Sequence, residues 1–171
     1  MSKEITNNFV SLFSSRLMTL GHILEISEQH FHEEAESILD FRLIDDMLPF
    51  GTQIAYACNQ PHNFSLWCKN QESDNLSPEI ESLTVAKNLI ERTKSQLQDS
   101  ELGDSKLSEL KRIELGGGQY LELEGIDYVH EFLIPNFYFH LVAAYNIMRM
   151  KGVPLGKVNY MAHVAPLVKT A

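Results

Sequence analysis

Apolar residues recur at alternating intervals of three and four in several stretches of this chain. Such spacing places one apolar stripe along an α-helix. It predicts a first helix over residues 6–27, with a stripe formed by Val10, Phe13, Leu17, Leu20 and Leu24. The same spacing predicts a helix over residues 82–98, with a stripe formed by Leu83, Ala86, Ile90, Thr93 and Leu97.

A further helix is predicted between these two. It should begin near Pro49, because proline is favoured in the first turn of a helix and Asp46 is available as a cap. It should extend to about Asn70, with a bend at Pro61, since proline removes a backbone donor and clashes with the preceding turn. Residues 28–48 before it are predicted to form a long connection with a short helical turn.

The helical pattern breaks at residues 111–124, KRIELGGGQYLELE. Apolar and charged residues alternate on both sides of three glycines that permit a tight turn, which predicts a short β-hairpin. A last long helix should follow from about residue 127 to 151. Gly152 is expected to end this helix, and Pro154 lies just beyond.

Four helices that each carry one apolar stripe must bury those stripes against one another. The sequence therefore predicts an all-α four-helix bundle with a short β-hairpin before the last helix. The 171 residues fit one domain, so we expect a single domain over residues 1–171.

Composition and charge narrow the classes of function. The net charge of −9 would be repelled by a phosphate backbone, so we expect no nucleic-acid partner. No segment approaches the ~20 consecutive apolar residues that a membrane span needs, and the N-terminus lacks a signal-peptide pattern. We therefore expect a cytoplasmic protein with no membrane partner, in which Cys58 and Cys68 are reduced and buried.

Two polar residues interrupt the apolar stripe of the last helix. Asn136 and His140 lie one turn apart on the face that should point inward, and Pro135 just before them should bend the helix. Burying polar side chains is unfavourable unless each finds a hydrogen-bond partner. The two are either a structural pair or the polar floor of a pocket, and Gln53 or Tyr56 on the second helix could reach them across the bundle.

The other histidines give weaker signals of a metal site. His130 and His140 lie about 15 Å apart along one helix, so they cannot bind the same ion. His30 and His32 would face opposite sides of a helix, whereas a zinc site needs three or four converging ligands.

Three segments together carry a resemblance to a known family. They are PNFYFHLVAAYNIMRMKGVPLGKVNYM (135–161), DDMLPFGTQIAYACN (45–59) and the GGG hairpin. From the first helix to about residue 161, the chain resembles a bacterial family of unknown function in the DinB/YfiT-like metalloenzyme superfamily. The resemblance implies a four-helix bundle, often homodimeric. Better-known members bind a divalent metal through one histidine on the second helix and an HxxxH pair on the last, and some are thiol-dependent transferases.

The matching positions of this chain depart from that set of ligands. His140 matches the second histidine of the HxxxH pair, Asn136 replaces the first, and the nearest polar candidate on the second helix is Gln53. We therefore expect no metal and no other cofactor. The favoured hypothesis is a polar core pocket at Gln53, Tyr56, Asn136 and His140, in a protein that binds an unknown small molecule or acts as a dimeric interaction module.

Two alternatives stay open at this point, and so does the question of whether the protein is an enzyme. One is a transferase or hydrolase that uses a divalent zinc or nickel ion, with His140 as one ligand and His30, His32 or Asp46 folded over the bundle. The other is a structural dimer in which Asn136 and His140 only specify packing. A homodimer is expected from the resemblance and from the apolar tail after the last long helix.

Overall fold

Four long helices pack with their apolar stripes facing one another in the computed structural model, which describes residues 2–169. They are α1 (Ser2–Phe31), α2 (Phe50–Cys68), α3 (Leu83–Gln98) and α5 (Ile134–Met150). Their stripe residues form one buried core, which includes Phe13, Leu17, Leu20, Leu24, Ile54, Ile90, Leu97 and Ile147. The predicted all-α bundle is confirmed. Residues 1, 170 and 171 of the expected single domain lie outside the described residues.

The first helix is longer than its stripe predicted. α1 continues to Phe31, whose ring packs edge to face against Phe41 at a centroid distance of 5.2 Å. A 3-10 helix, His32–Asp40, follows it and buries Ala35, Ile38 and Leu39. Tertiary packing of these apolar residues explains why the polar stretch before them continues the helix.

The start of α2 corrects one prediction. Asp46 is exposed and does not cap the helix; Pro49 occupies the cap position, and no side chain makes a capping hydrogen bond there. Instead, the Phe50 backbone N–H donates to the Phe41 carbonyl at 2.8 Å, which closes the connection before the helix. Pro61 lies inside α2, which continues as one helix from Phe50 to Cys68.

The boundaries of α3 and of the hairpin agree with the sequence pattern. The Ser82 hydroxyl accepts a hydrogen bond from the Val85 N–H at 3.2 Å, as expected of an N-cap. Strands β1 (Leu110–Gly116) and β2 (Gln119–Glu124) pair antiparallel. Gly117 and Gly118 turn between them with φ of +60° and +78°, a region that glycine adopts without strain.

The last long helix contains an irregular segment. α4 (Gly125–Asp127) is followed by a π-helical segment, Tyr128–Leu133, and then by α5. The segment lies just before Pro135, which has no N–H to donate to the carbonyl four residues back. A π-helical turn is one recognised cause of helix irregularity, and it often occurs near functional sites.

The chain after α5 folds back onto α1. Gly152 follows α5 with φ of +88°, as its predicted role at the helix end requires. A short helix α6 (Lys157–Tyr160) and a 3-10 helix, Ala162–Leu167, pack against α1. His22 of α1 is half-buried beside this segment, with its Nε2 atom 3.4 Å from Asn159 Nδ2. Between residues 2 and 169, no helix has the length and apolar character to cross a bilayer.

Candidate functional site

His140 and Gln53 form a hydrogen-bonded pair between α5 and α2. Nδ1 of His140 lies 2.8 Å from Gln53 Oε1, and Gln53 Nε2 donates to the Leu48 carbonyl at 3.0 Å. Because the amide nitrogen is used by that carbonyl, the amide oxygen faces the imidazole. Nδ1 therefore carries the proton that it donates, and Nε2 of the neutral ring is a lone-pair acceptor.

The surroundings of His140 keep its ring neutral. Gln53 is 1% exposed and His140 is 9% exposed. Burial lowers the pKa of His140 to about 4, since removal from water disfavours the imidazolium ion. At neutral pH the ring presents an acceptor, not a cation.

An open cavity of about 460 Å³ lies beside this ring. Tyr56 forms part of its wall and packs edge to face against His140, with ring centroids 5.2 Å apart. The rest of the wall comes from α2 and from the loop before α3: Asn59, Gln60, Asn75, Leu76, Ser77 and Pro78.

Asn136 does not take the place expected for it. It is half-buried, and its Nδ2 donates to the carbonyl of Phe132 at 2.7 Å, one turn back in the same helix. Phe132 belongs to the π-helical segment, where regular α-helical hydrogen bonding is interrupted. The structure therefore brings together Gln53, Tyr56 and His140. Asn136 is not among the side chains that line the cavity in the described part of the chain.

Sequence reasoning missed two asparagines that shape the site. Asn59 Oδ1 accepts from the Leu76 N–H at 2.9 Å, and Asn59 Nδ2 donates to Asn75 Oδ1 at 3.0 Å. Asn63 Oδ1 accepts from the Asp74 N–H at 3.1 Å. These bonds hold the loop before α3 against α2 and so build the cavity wall.

Gln60 lies between them and is also buried. Its Nε2 donates to the Tyr56 carbonyl at 3.3 Å. The signal in the sequence was the polar run NQPHN, residues 59–63, inside a helix that is otherwise rich in apolar residues.

A second cavity of about 600 Å³ adjoins the first. The two share Asn59, Gln60 and Asn75 as wall residues. The second cavity extends between α2, β1 and the π-helical segment, where Lys111 and Tyr128 line it. We call the two adjoining cavities together the α2 channel.

The side chains around His140 do not fit a zinc or nickel site. Within residues 2–169, no group of three or more His, Cys, Asp or Glu side chains is placed to hold an ion. The other nitrogen- and oxygen-bearing side chains of the first cavity are amides and hydroxyls, which are poor ligands for either metal. His30, His32 and Asp46 are exposed and lie outside the wall of this cavity.

Comparison with known proteins identifies a family and a fold. The model of a family described as a domain of unknown function, DUF1993, matches residues 6–161. No curated protein matches the chain. Among solved structures, a DinB family member protein from Shewanella denitrificans is 24% identical, with a TM-score of 0.77 over 92% of each chain. At that identity the likeness shows the fold alone.

Proposed function

The chain belongs to the DUF1993 family and has a DinB-like fold, and we propose that it binds a small polar molecule in the cavity beside His140. The observation that carries this proposal is the orientation of the ring. Gln53 holds Nδ1, the neutral ring lines an open cavity, and the remaining ring nitrogen is a lone-pair acceptor. A ligand hydroxyl or N–H group would donate to it.

The cost of this arrangement supports a role in binding. Burying a histidine is unfavourable unless both ring nitrogens are satisfied. The protein provides one hydrogen bond to this ring among the described residues, through Gln53. Nε2 is therefore left for water or a ligand in the cavity to satisfy.

The low pKa of His140 favours binding over proton transfer. A general base works best when its pKa lies near the working pH, whereas the pKa of His140 is about 4. At pH 7 the imidazole would be a weak base. We therefore propose that His140 accepts a hydrogen bond from the ligand and does not abstract its proton.

A fragment screen tests the proposal. We would screen small polar fragments that bear a hydroxyl or an amide by ligand-observed NMR against wild type, His140→Leu and the control His130→Leu. His130 is exposed in the segment leading into α5 and outside both cavities. We expect fragments that bind wild type and the control but lose at least about tenfold in affinity with His140→Leu. Hits that bind all three proteins equally would contradict the proposal.

A second candidate function is that of a homodimeric interaction module. Its support is an apolar stripe on the outer face of α5, where Phe139, Val142 and Met150 are 60%, 38% and 49% exposed. Exposed apolar groups in one stripe are typical of protein interfaces. We expect sedimentation equilibrium to give the mass of a dimer and Phe139→Asp to shift it to that of a monomer. A monomeric mass for wild type would contradict this candidate.

A further inference from the structure

Lys111 is a cation of the α2 channel that has no ion-pair partner in the part of the chain that the structure describes. It is half-buried on β1, and its Nζ lies 5.7 Å from the centre of the Tyr128 ring. Lys111 forms no hydrogen bond and no ion pair among the described residues, and its ammonium group lies against the Tyr128 ring. The neighbouring Arg112 differs, because its Nε donates to Glu114 Oε1 at 2.6 Å.

The environment of Lys111 disfavours its charge. Burial lowers the pKa of Lys111, and repulsion from Lys106 lowers it further, while Glu109 and Glu72 act in the opposite direction. Partial removal of an ammonium group from water is unfavourable unless an anion compensates it. A ligand anion in the channel would supply that compensation.

The charges around the channel select the kind of anion. Glu114 is neutralised by Arg112, whereas Glu72 also lines the second cavity and keeps its negative charge close to Lys111. Glu72 would repel any anion in the channel, but it would repel a phosphate group, which carries close to two negative charges at neutral pH, about twice as strongly as a carboxylate, which carries one. The single charge of a carboxylate therefore suits Lys111 better.

The amides between the two ends of the channel complete the site. Gln60 and Asn75 line both cavities and offer donors and acceptors along the path from Lys111 to His140. Resting on the proposed function, we propose that the ligand is a small monocarboxylate with a hydrogen-bond donor at its far end. Its carboxylate binds Lys111, and its hydroxyl or N–H group donates to Nε2 of His140.

The test uses matched acids and amides. The probes are the terminal hydroxycarboxylates from 4-hydroxybutyrate to 6-hydroxyhexanoate and the corresponding neutral amides. Affinities for the full chain are measured by calorimetry or by NMR titration. The variants are Lys111→Gln, Lys111→Arg and the control Lys157→Gln, which removes the same charge from an exposed position outside the channel.

We expect at least one acid to bind about tenfold more tightly than its amide, the difference that a charge-assisted hydrogen bond typically makes. Lys111→Gln should remove that preference, Lys111→Arg should keep most of it, and Lys157→Gln should leave it unchanged. Equal binding of acid and amide, or a preference that survives Lys111→Gln, would overturn this inference and leave the proposed function intact. Absence of binding by every probe would overturn this inference, while the fragment screen with His140→Leu decides the proposed function.

Discussion

Two buried histidines of this protein have the same partner in different surroundings. Nδ1 of His62 lies 3.0 Å from Gln96 Oε1, and Nδ1 of His140 lies 2.8 Å from Gln53 Oε1. The two histidines are similarly buried, at 8% and 9% exposed. Nε2 of His62, however, is enclosed without a hydrogen-bond partner among the described residues, while His140 lines an open cavity.

The comparison teaches that neither the residue type nor its hydrogen bond marks a site. His62 and Gln96 form the same kind of pair between α2 and α3, but the second ring nitrogen of His62 is enclosed. Access to a polar cavity is what gives His140 a chemistry beyond packing.

The largest difference in the free energy of unfolding is expected between variants in which the glutamine of each pair is replaced. Gln53→Leu leaves two polar groups without their partner, Nδ1 of His140 and the Leu48 carbonyl, and should lower the free energy of unfolding by about 2–3 kcal/mol. Gln96 is half-buried and makes one side-chain bond, so Gln96→Leu should cost about 1 kcal/mol. Urea unfolding of both variants measures the difference. Equal losses would show that the His140–Gln53 pair stabilises the fold no more than the His62–Gln96 pair.

The second prediction concerns stability against pH. The folded pKa of His140, about 4, lies below the value of 6.5 for an unburied histidine. Between these values the unfolded chain binds the proton more readily than the folded chain, so stability present above pH 6.5 declines as the pH falls. Solvent in the open cavity screens part of the effect, which leaves about 1–2 kcal/mol.

Replacing His140 checks this prediction. His140→Phe should weaken the loss of unfolding free energy between about pH 6.5 and pH 4, because the titrating group is gone. His130→Phe, in the same helical region but exposed, should leave that loss unchanged. An unaltered pH dependence in His140→Phe would show that the ring is charged or well hydrated in the folded state.

A smaller effect is expected at Asn136. Its amide satisfies one backbone carbonyl beside the π-helical segment, so Asn136→Ala should lower the free energy of unfolding by about 0.5–1.5 kcal/mol. Because Asn136 is outside the cavity wall, fragment affinities should stay within about twofold of wild type. A loss of binding as large as that of His140→Leu would return Asn136 to the site.

The smallest expected effect concerns the content of bound metal in the purified protein. Protein expressed in medium supplemented with zinc and nickel should contain far less than one ion per chain, because amides and one imidazole form a poor set of ligands for either metal. Elemental analysis of wild type and His140→Ala makes the comparison. One ion per chain, lost in His140→Ala, would instead support a metal-dependent transferase or hydrolase.

The sequence predicted the helices where a stripe was continuous and a local signal marked the end. α3 begins after Ser82 and ends at Gln98, as the spacing over residues 82–98 indicated. The start of α2 was harder, because a long-range backbone bond from Phe50 to Phe41 replaces the cap expected from Asp46. Such a contact has no local signature in the chain.

For the site, the pattern on one helix predicted that His140 points inward, and His140 is buried in the structure. The contact with Gln53 was named as one of several, because periodicity on separate helices does not determine their register. The bond from Asn136 to the Phe132 carbonyl lies within one helix, and the spacing of apolar residues does not indicate it. The α2 channel depends on a loop held by Asn59 and Asn63, and such tertiary bonds cannot be derived from spacing.

Nitrogen NMR of the histidine rings tests directly whether Nε2 of His140 is an unprotonated acceptor. We predict that His140 keeps a proton on Nδ1 and a bare Nε2 between about pH 5 and pH 7. When a binding fragment is added, only the chemical shift of Nε2 should change. The ring should begin to titrate near pH 4, as its lowered pKa requires. A proton on Nε2, or titration near pH 6.5 as for an exposed histidine, would contradict it.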